Sequence, residues 1–161
     1  MVEDITVKDI ITKDYKSVYE EDRLSKAIGL FDDKTNALIV LDSRGKYSGV
    51  LTEKRLLRST INPEEAKVKR FTLNASKITK NTNFQECAKL MINNGVSILP
   101  VFERDKLIGI VTDTGLLDSG ALKEFDNEKI SKFMTTSVKT ATPEDRVSII
   151  LNKFKEENLT R

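Results

Sequence analysis

The chain has 161 residues, of which 39% are hydrophobic and 32% are charged, as expected for one ordinary domain or two small ones that share a core. Its 27 basic and 25 acidic residues leave a net charge of +2, too small for the long-range field that draws a protein to nucleic acid. The absence of histidine and the single cysteine exclude imidazole metal sites, an internal disulfide and Ser–His or Cys–His nucleophile pairs, so we expect a binding protein and not an enzyme.

The first predicted unit reads strand, helix, strand, strand, helix. A short extended piece near Ser17–Tyr19 leads into a helix with Asp22 as its predicted N-cap. Two apolar runs, Ala37–Leu41 and Tyr47–Leu51, are predicted strands joined by a polar turn, and Thr52 begins a second helix. The first helix shows one apolar face with i, i+3, i+4, i+7 spacing, made of Leu24, Ala27, Ile28 and Phe31.

A second unit repeats the first at an offset of 60 residues, with Ala37–Thr52 aligned without a gap on Ser97–Thr112. Its extended piece is predicted near Lys77–Thr79, and its first helix begins behind Thr82, which fits a capping box with Gln85. The apolar helix face of the first unit recurs in the second as Phe84, Cys87, Ala88 and Met91. The residues that are identical at equivalent positions of the two units are Arg44/Arg104, Lys46/Lys106, Gly49/Gly109, Thr52/Thr112, Leu56/Leu116 and Leu57/Leu117.

Two residues of the second unit have predicted structural roles. Pro100 interrupts a strand pattern and cannot donate to a ladder, which predicts an edge position for its strand. Cys87 lies on the apolar helix face, where we expect a small buried side chain and not a reactive thiol.

Half of a third unit follows. Phe133–Thr135 resembles Ile10–Thr12, and Glu144–Arg146 repeats Glu21–Arg23 at an offset of 123, with Asp145 as the predicted cap. We therefore divide the chain into 1–61, 62–124 and 125–161. The apolar face of the third part cannot be buried by that part alone, which predicts packing on another chain, exchange between two chains, or a place in a longer four-unit protein. Its members are Val147, Ile150, Leu151 and Phe154.

Four motifs carry a resemblance to a known family: Val7–Thr12, Gly49–Thr52, Ile98–Val101 and Gly109–Thr112. In order and spacing they resemble the CBS domain, normally a tandem pair called a Bateman module, and arrays of four resemble the gamma subunit of the AMP-activated kinase. The resemblance implies an α/β fold in which two β-α-β-β-α units pack about a pseudo-two-fold axis and leave two clefts. It also implies a regulatory sensor of AMP, ADP, ATP or S-adenosylmethionine that pairs into homodimers through its helices.

Two threonines are candidate ligand contacts. Thr52 and Thr112 present hydroxyls at helix starts, beside unpaired backbone N–H groups that can donate to an anion. Each threonine could equally be no more than the cap of its own helix, and the sequence leaves both interpretations open.

The chain departs from the family pattern at the ribose-binding aspartate, which is replaced by Arg55 in the first unit and Gly115 in the second. The loss of a charge-assisted hydrogen bond costs about 1.5–3 kcal/mol, so the usual nucleotide mode is weakened in both clefts. Arg55 is a solvated residue on an exposed helix, a plug that fills an empty cleft or, with Lys54 and Arg58, a phosphate contact.

The second cleft, near Thr112 and Ser97, is the favoured site, because Gly115 leaves space there. Asp113 is included as a neighbour but its helical position points it away from a ribose. The basic cluster Lys67, Lys69 and Arg70 is interpreted as a solvated face. The complete set of candidate ligand-contacting residues is Thr12, Ala37, Thr52, Arg55, Thr72, Ile78, Ser97, Ile98, Pro100, Thr112, Asp113 and Gly115.

Two functions therefore stay open: a regulatory module that senses an adenosine-type ligand and relays it to a protein partner, and a ligand-free dimerisation module. No stretch approaches the roughly 20 apolar residues of a membrane helix, and the N-terminus lacks the apolar core of a signal peptide, so we expect a cytoplasmic protein. No cofactor is expected to be required, and nucleic acid is not an expected partner.

Overall fold

Two small sheets, one for each repeat, form the framework of the computed structural model, which describes residues 5–120, 123, 126–157 and 159. In the first, β1 runs parallel to β2 and β2 runs antiparallel to β3; in the second, β4 runs antiparallel to β5. The mixture confirms the predicted α/β class. The elements are α1 (Val7–Ile10), β1 (Ser17–Tyr19), α2 (Leu24–Ile28), β2 (Ala37–Leu41), β3 (Tyr47–Thr52), α3 (Glu53–Leu57), α4 (Phe84–Asn94), β4 (Ile98–Glu103), β5 (Lys106–Thr112), α5 (Asp113–Asp118) and α6 (Val147–Glu156).

The two units exchange the segments that precede them. Thr12 pairs with Ile110 of β5, and Leu73 pairs with Val50 of β3, so each segment extends the other unit's sheet. This pairing requires glycine at two positions of the strands. A Cβ on Gly49 would lie 2.5 Å from the Leu73 carbonyl oxygen, and one on Gly109 would lie 2.6 Å from that of Thr12. The exchanged backbone thus approaches both glycines closely.

The gap-free alignment of the two units is wrong in the first strand of each hairpin. Thr52 pairs with Ala37, whereas the equivalent Thr112 pairs with Ile98, so Ala37 matches Ile98 and not Ser97. The cause is a hairpin turn that is one residue shorter in the second unit. There Arg104 takes the left-handed conformation at φ 55°, while the first unit's turn contains Gly45 at φ 74°.

Pro100 shortens the pairing on the outer side of β4. At the equivalent position in the first unit, the Ile39 N–H donates to the Lys16 carbonyl oxygen at 3.0 Å. Proline has no N–H to donate, and in place of a strand like β1 a single parallel bridge joins Ile78 to Val101. β4 is an edge of its two-stranded sheet, as the proline predicts.

The predicted N-caps Asp22, Thr82 and Asp145 are wrong. Each side-chain oxygen instead accepts the backbone N–H three residues earlier, at distances of 2.9, 3.1 and 2.9 Å, and so closes the turn before its helix. The helix starts fall one residue later, and Asn83 takes the cap of α4, which removes the predicted capping box. The shared role in all three turns supports the interpretation that the third part repeats the first two.

Apolar residues of the two sheets and of α2 and α4 make the core, and Cys87 is fully buried in it, as predicted. Burial raises the pKa of its thiol to about 11. Ile28 is 43% exposed because α2 ends there, earlier than the apolar pattern predicts. Among the described residues, no helix has the length and apolar character needed to cross a membrane.

The described part of the third unit lies outside this core. Its helix α6 contacts α3 but buries none of its own residues. Several apolar side chains are exposed, at the fractions Ile130 78%, Met134 54%, Val138 70%, Val147 70%, Ile149 47% and Leu151 36%.

Candidate functional site

Asn36 and Ser97 mark the pseudo-two-fold axis. The carbonyl oxygen of Asn36 accepts the N–H of Glu53 and that of Ser97 accepts the N–H of Asp113, both at 2.9 Å, so the two residues are equivalent. The Ser97 hydroxyl donates to Asn36 Oδ1 at 2.8 Å, which joins the equivalent positions directly. A ligand bound beside this contact touches both units at once.

A crevice of about 860 Å³ surrounds this axis, and we call it the central crevice. Its volume falls in the range of small-molecule sites. It brings together six of the predicted candidates from the two units, namely Ala37, Thr52, Ser97, Ile98, Thr112 and Asp113.

Both candidate threonines cap their helices. Thr52 Oγ1 accepts the Arg55 N–H at 3.2 Å, and Thr112 Oγ1 accepts the Gly115 N–H at 2.9 Å. Thr52 is only 5% exposed, whereas Thr112 is half-buried. Capping therefore accounts for threonine at both positions, while each hydroxyl keeps its hydrogen available to donate.

Five other candidates line neither the central crevice nor the smaller crevice that adjoins it. Thr12 Oγ1 accepts the Asp14 N–H at 3.0 Å, and the Thr72 hydroxyl donates to the Val68 carbonyl oxygen at 3.1 Å. Ile78 and Pro100 are buried in the sheet. Around Gly115, a Cβ would lie 3.0 Å from Thr112 Oγ1, which is a tight contact, and Gly115 lines neither crevice, so the ligand space predicted there is not found.

A second crevice of about 580 Å³ adjoins the central one, and four cations line it: Lys54, Arg55, Arg58 and Arg70. We call it the basic crevice, because no aspartate or glutamate is among its lining residues. Arg70 comes from the exchanged segment 67–73, which carries it from its own unit to α3 of the first. The prediction that Arg70 lies on a solvated face is therefore only partly right, because this arginine also lines a crevice.

Sequence reasoning missed several lining residues of the central crevice, among them Tyr15, Lys16 and Lys34. Lys16 Nζ lies 2.6 Å from Asp32 Oδ2 and donates to the Leu30 carbonyl oxygen at 2.9 Å, so it closes the loop after α2. The Lys16 ammonium, with the N–H of Lys34 and the Thr35 hydroxyl, lowers the pKa of Asp32 to about 2. No repeat or periodic signal predicts this contact, because the second unit has a longer helix at the same place.

Two repeated α/β units with exchanged segments and a crevice on their pseudo-axis have the architecture of the tandem CBS fold, although a single bridge replaces the first strand of the second unit. The chain belongs to the CBS domain family, which matches residues 7–62 and 71–121. It is 29% identical to an uncharacterized protein of Methanocaldococcus jannaschii over 160 residues, which cover 96% of this chain but 38% of that protein. The family match confirms the resemblance stated from the sequence and makes this a regulatory CBS module.

Solved structures show the same fold. A CBS-domain containing protein of Agrobacterium tumefaciens has a TM-score of 0.64 and 22% identity, with 71% of this chain and 92% of that chain covered. The CBS domain of a bacterial CNNM/CorC family Mg²⁺ transporter, in complex with ATP, has a TM-score of 0.63 and 18% identity over 73% of this chain and 88% of that one.

Proposed function

We propose that this chain is a sensor that binds an adenosine-type ligand in its central crevice and relays binding to a protein partner. The ligand class is AMP, ADP, ATP or S-adenosylmethionine. The observation that carries the proposal is the placement of the crevice on the Ser97–Asn36 contact, where both units supply its walls. The ATP complex of the transporter CBS domain supports the ligand class by likeness of fold.

The proposed mechanism is differential binding. A ligand between two units stabilises one relative arrangement of them, and it can shift the module only as far as its affinities for two arrangements differ. The crevice offers a half-buried Tyr15 ring, the Ser97 hydroxyl and the apolar Ile98 side chain, which suit an adenosine moiety. The role is binding and not catalysis, which the lack of histidine supports.

Thermal-shift and calorimetric titrations against AMP, ADP, ATP and S-adenosylmethionine test the proposal. A ligand at one hundred times its dissociation constant stabilises the folded state by about 2.7 kcal/mol. Leu117 lines the crevice and is 56% exposed, so Leu117→Trp should narrow it without disturbing the core and should weaken binding. Lys89→Trp, on the exposed side of α4, is the matched control. A flat response to all four ligands would contradict the proposal.

A second candidate function is assembly, favoured by the exposed apolar residues of the third part. Val147 and Leu151 lie one turn apart on α6 and are 70% and 36% exposed, so a second chain could cover them. We propose that two chains associate through this face. Light scattering should show a dimer that Val147→Asp converts to monomer, whereas Ser148→Asp, exposed on the same helix, should not. A monomeric wild-type chain with a protected tail would exclude the assembly.

A further inference from the structure

The exchanged segments begin with a backbone contact that is the same in both complete units. Residues 66–69 lie against the turn 19–24 of the first unit, and residues 5–8 lie against the equivalent turn 79–84 of the second. The bonds at the first contact run from the Val68 N–H to the Asp22 carbonyl oxygen at 3.0 Å, from the Lys69 N–H to that of Glu20 at 3.0 Å and from the Leu24 N–H to that of Ala66 at 2.9 Å. Those at the second run from Val7 to Thr82 at 2.9 Å, from Lys8 to Lys80 at 3.1 Å and from Phe84 to Ile5 at 3.2 Å. The same three-bond contact therefore occurs twice, and Val68 and Val7 are both fully buried there.

The third part contains both halves of this contact. Residues 128–131, like the start of the second exchanged segment, lead into a 3-10 turn, and the turn 142–147 is closed by Asp145 in the way described for the other two. Neither half is engaged: among the residues that the structure describes, the Ile130 N–H and the Val147 N–H donate no hydrogen bond, and the Asp145 carbonyl oxygen accepts none. Ile130, the equivalent of the two buried valines, is 78% exposed. The third part therefore carries a segment without a turn to bind and a turn without a segment.

A single chain does not bring these two halves together. The turns of the two complete units are already occupied by the exchanged segments. In the complete units a segment binds the turn of the other unit and not its own. Residues 128–131 follow the same rule, because no hydrogen bond joins them to the turn 142–147 within the described part of the chain. The third part therefore needs a partner that offers both a free turn and a free segment, and a second copy of this chain offers both.

Charge complementarity also favours a second copy. At the first contact, Lys67 Nζ reaches the turn and donates to the Glu21 carbonyl oxygen at 2.7 Å. The third part has Lys129 and Glu144 at the equivalent positions. Both side chains are exposed, and among the described residues neither makes an ion pair or a hydrogen bond. The segment of one copy thus presents a free lysine where the turn of another presents a free glutamate, and opposite charges of this kind favour the pairing.

We propose that two copies of this chain exchange residues 128–131 reciprocally, so that each segment binds the turn 142–147 of the partner chain. A two-fold axis then relates the two contacts, as the pseudo-two-fold axis relates those of the complete units, and Ile130 of each chain becomes buried. The proposal rests on the association of two chains proposed above and names the contact that holds them together. Association through the exposed face of α6 alone would need no exchange, so the two proposals can fail separately.

The complete units give the geometry for a direct test by disulfide trapping. An antiparallel bridge pairs Lys67 of the segment with Arg23 of the turn. The Cα atoms of such a pair lie about 4.5–5.5 Å apart, which is within the span of a disulfide. The equivalent residues of the third part are Lys129 and Arg146, and the exchange places them in different chains.

Lys129→Cys chains are mixed with size-tagged Arg146→Cys chains and oxidised, and we expect a disulfide between the two different chains. Lys129→Cys mixed with Asn152→Cys, an exposed position further along α6, is the matched control and should not give this product. The native Cys87 is buried and does not compete. A trapped product in the first mixture alone supports the exchange, and equal yields in the two mixtures would overturn it.

A second variant acts on the apolar residue of the segment. Ile130 is exposed in the single chain, so Ile130→Asp should leave the unfolding of the core unchanged. In the dimer it would bury a carboxylate, and the dissociation constant from analytical ultracentrifugation should rise at least about tenfold. Ser137→Asp, also exposed in the third part, is the control and should leave the constant unchanged. If Ile130→Asp dimerises as tightly as Ser137→Asp while Val147→Asp does not, the exchange is overturned and the association through α6 stands; a monomeric wild-type chain would overturn both.

Discussion

The Ser97 hydroxyl donates a 2.8 Å hydrogen bond to Asn36 Oδ1, and these two side chains occupy equivalent places in the two repeats. Duplication would be expected to give the same residue at both places. In this contact the serine hydroxyl is the donor and the asparagine amide oxygen is the acceptor. The repeats have therefore diverged at this place and still make a direct hydrogen bond between equivalent positions.

Removal of this contact should loosen the units without unfolding them. Ser97→Ala leaves the half-buried Asn36 Oδ1 without its protein donor, and should lower the free energy of unfolding by about 0.5–1.5 kcal/mol. Ser148→Ala, on the exposed face of α6, should change it by less than about 0.5 kcal/mol. Urea denaturation measures both, and equal effects in the two variants would show that the axis contact contributes nothing.

The glycines beneath the exchanged segments should not tolerate a side chain. Gly49→Ala and Gly109→Ala would place Cβ 2.5 and 2.6 Å from backbone carbonyl oxygens, so each should destabilise the protein by about 1–3 kcal/mol. Gly29→Ala is the matched control, because its Cβ would meet nothing nearer than 3.6 Å and its φ is −66°. Denaturation curves in which all three variants agree would contradict the close packing of Leu73 and Thr12.

Apolar periodicity predicted the strands of both hairpins and the face of α4, since burial of one face is a property of the local sequence, but it placed Ile28 and Phe31 on a longer α2 than the structure has. It could not predict the segment exchange, because a pairing such as Thr12 with Ile110 joins residues almost one hundred positions apart and involves a single bridge. The sequence indicated only part of the basic crevice. Lys54, Arg55 and Arg58 are neighbours on a predicted helix, but Arg70 joins them only through the segment exchange. The alignment of the two repeats also did not reveal the shorter turn of the second unit, because the apolar residues of the first hairpin strand still match when they are shifted by one residue.

The Lys16–Asp32 pair predicts a titration in acid. The folded pKa of Asp32 is about 2, below its ordinary 3.8, so the pair's stabilisation is complete above about pH 4 and is lost as the pH falls towards 2. Lys16→Met removes the largest cause of this shift and should move the pKa back towards the ordinary value. Carboxyl NMR titration measures the change, with Lys13→Met, an exposed lysine nearby, as the control. An Asp32 pKa unaffected by Lys16→Met would refute the assignment.

Pro100 leaves the second sheet without one backbone hydrogen bond, and we expect that a substitution can restore it. Pro100→Val supplies the N–H that Ile39 has at the equivalent place, where it donates to the Lys16 carbonyl oxygen at 3.0 Å. The new hydrogen bond is worth about 1 kcal/mol, and loss of the proline ring frees the unfolded chain by about 0.4–1 kcal/mol, so the net stability should hardly change. Hydrogen exchange should instead show a protected amide at residue 100.

The reciprocal variant Ile39→Pro should cost much more, because it removes a ladder donor from β2, which has a partner strand on both sides. We expect a loss of at least about 2 kcal/mol and faster exchange along β1. If Pro100→Val left the new amide unprotected while Ile39→Pro was tolerated, the outer pairing of the two sheets would not depend on these donors. If Pro100→Val gains exchange protection and Ile39→Pro loses it, then one backbone N–H group decides both the length of β1 and the reduction of its counterpart to a single bridge at Ile78.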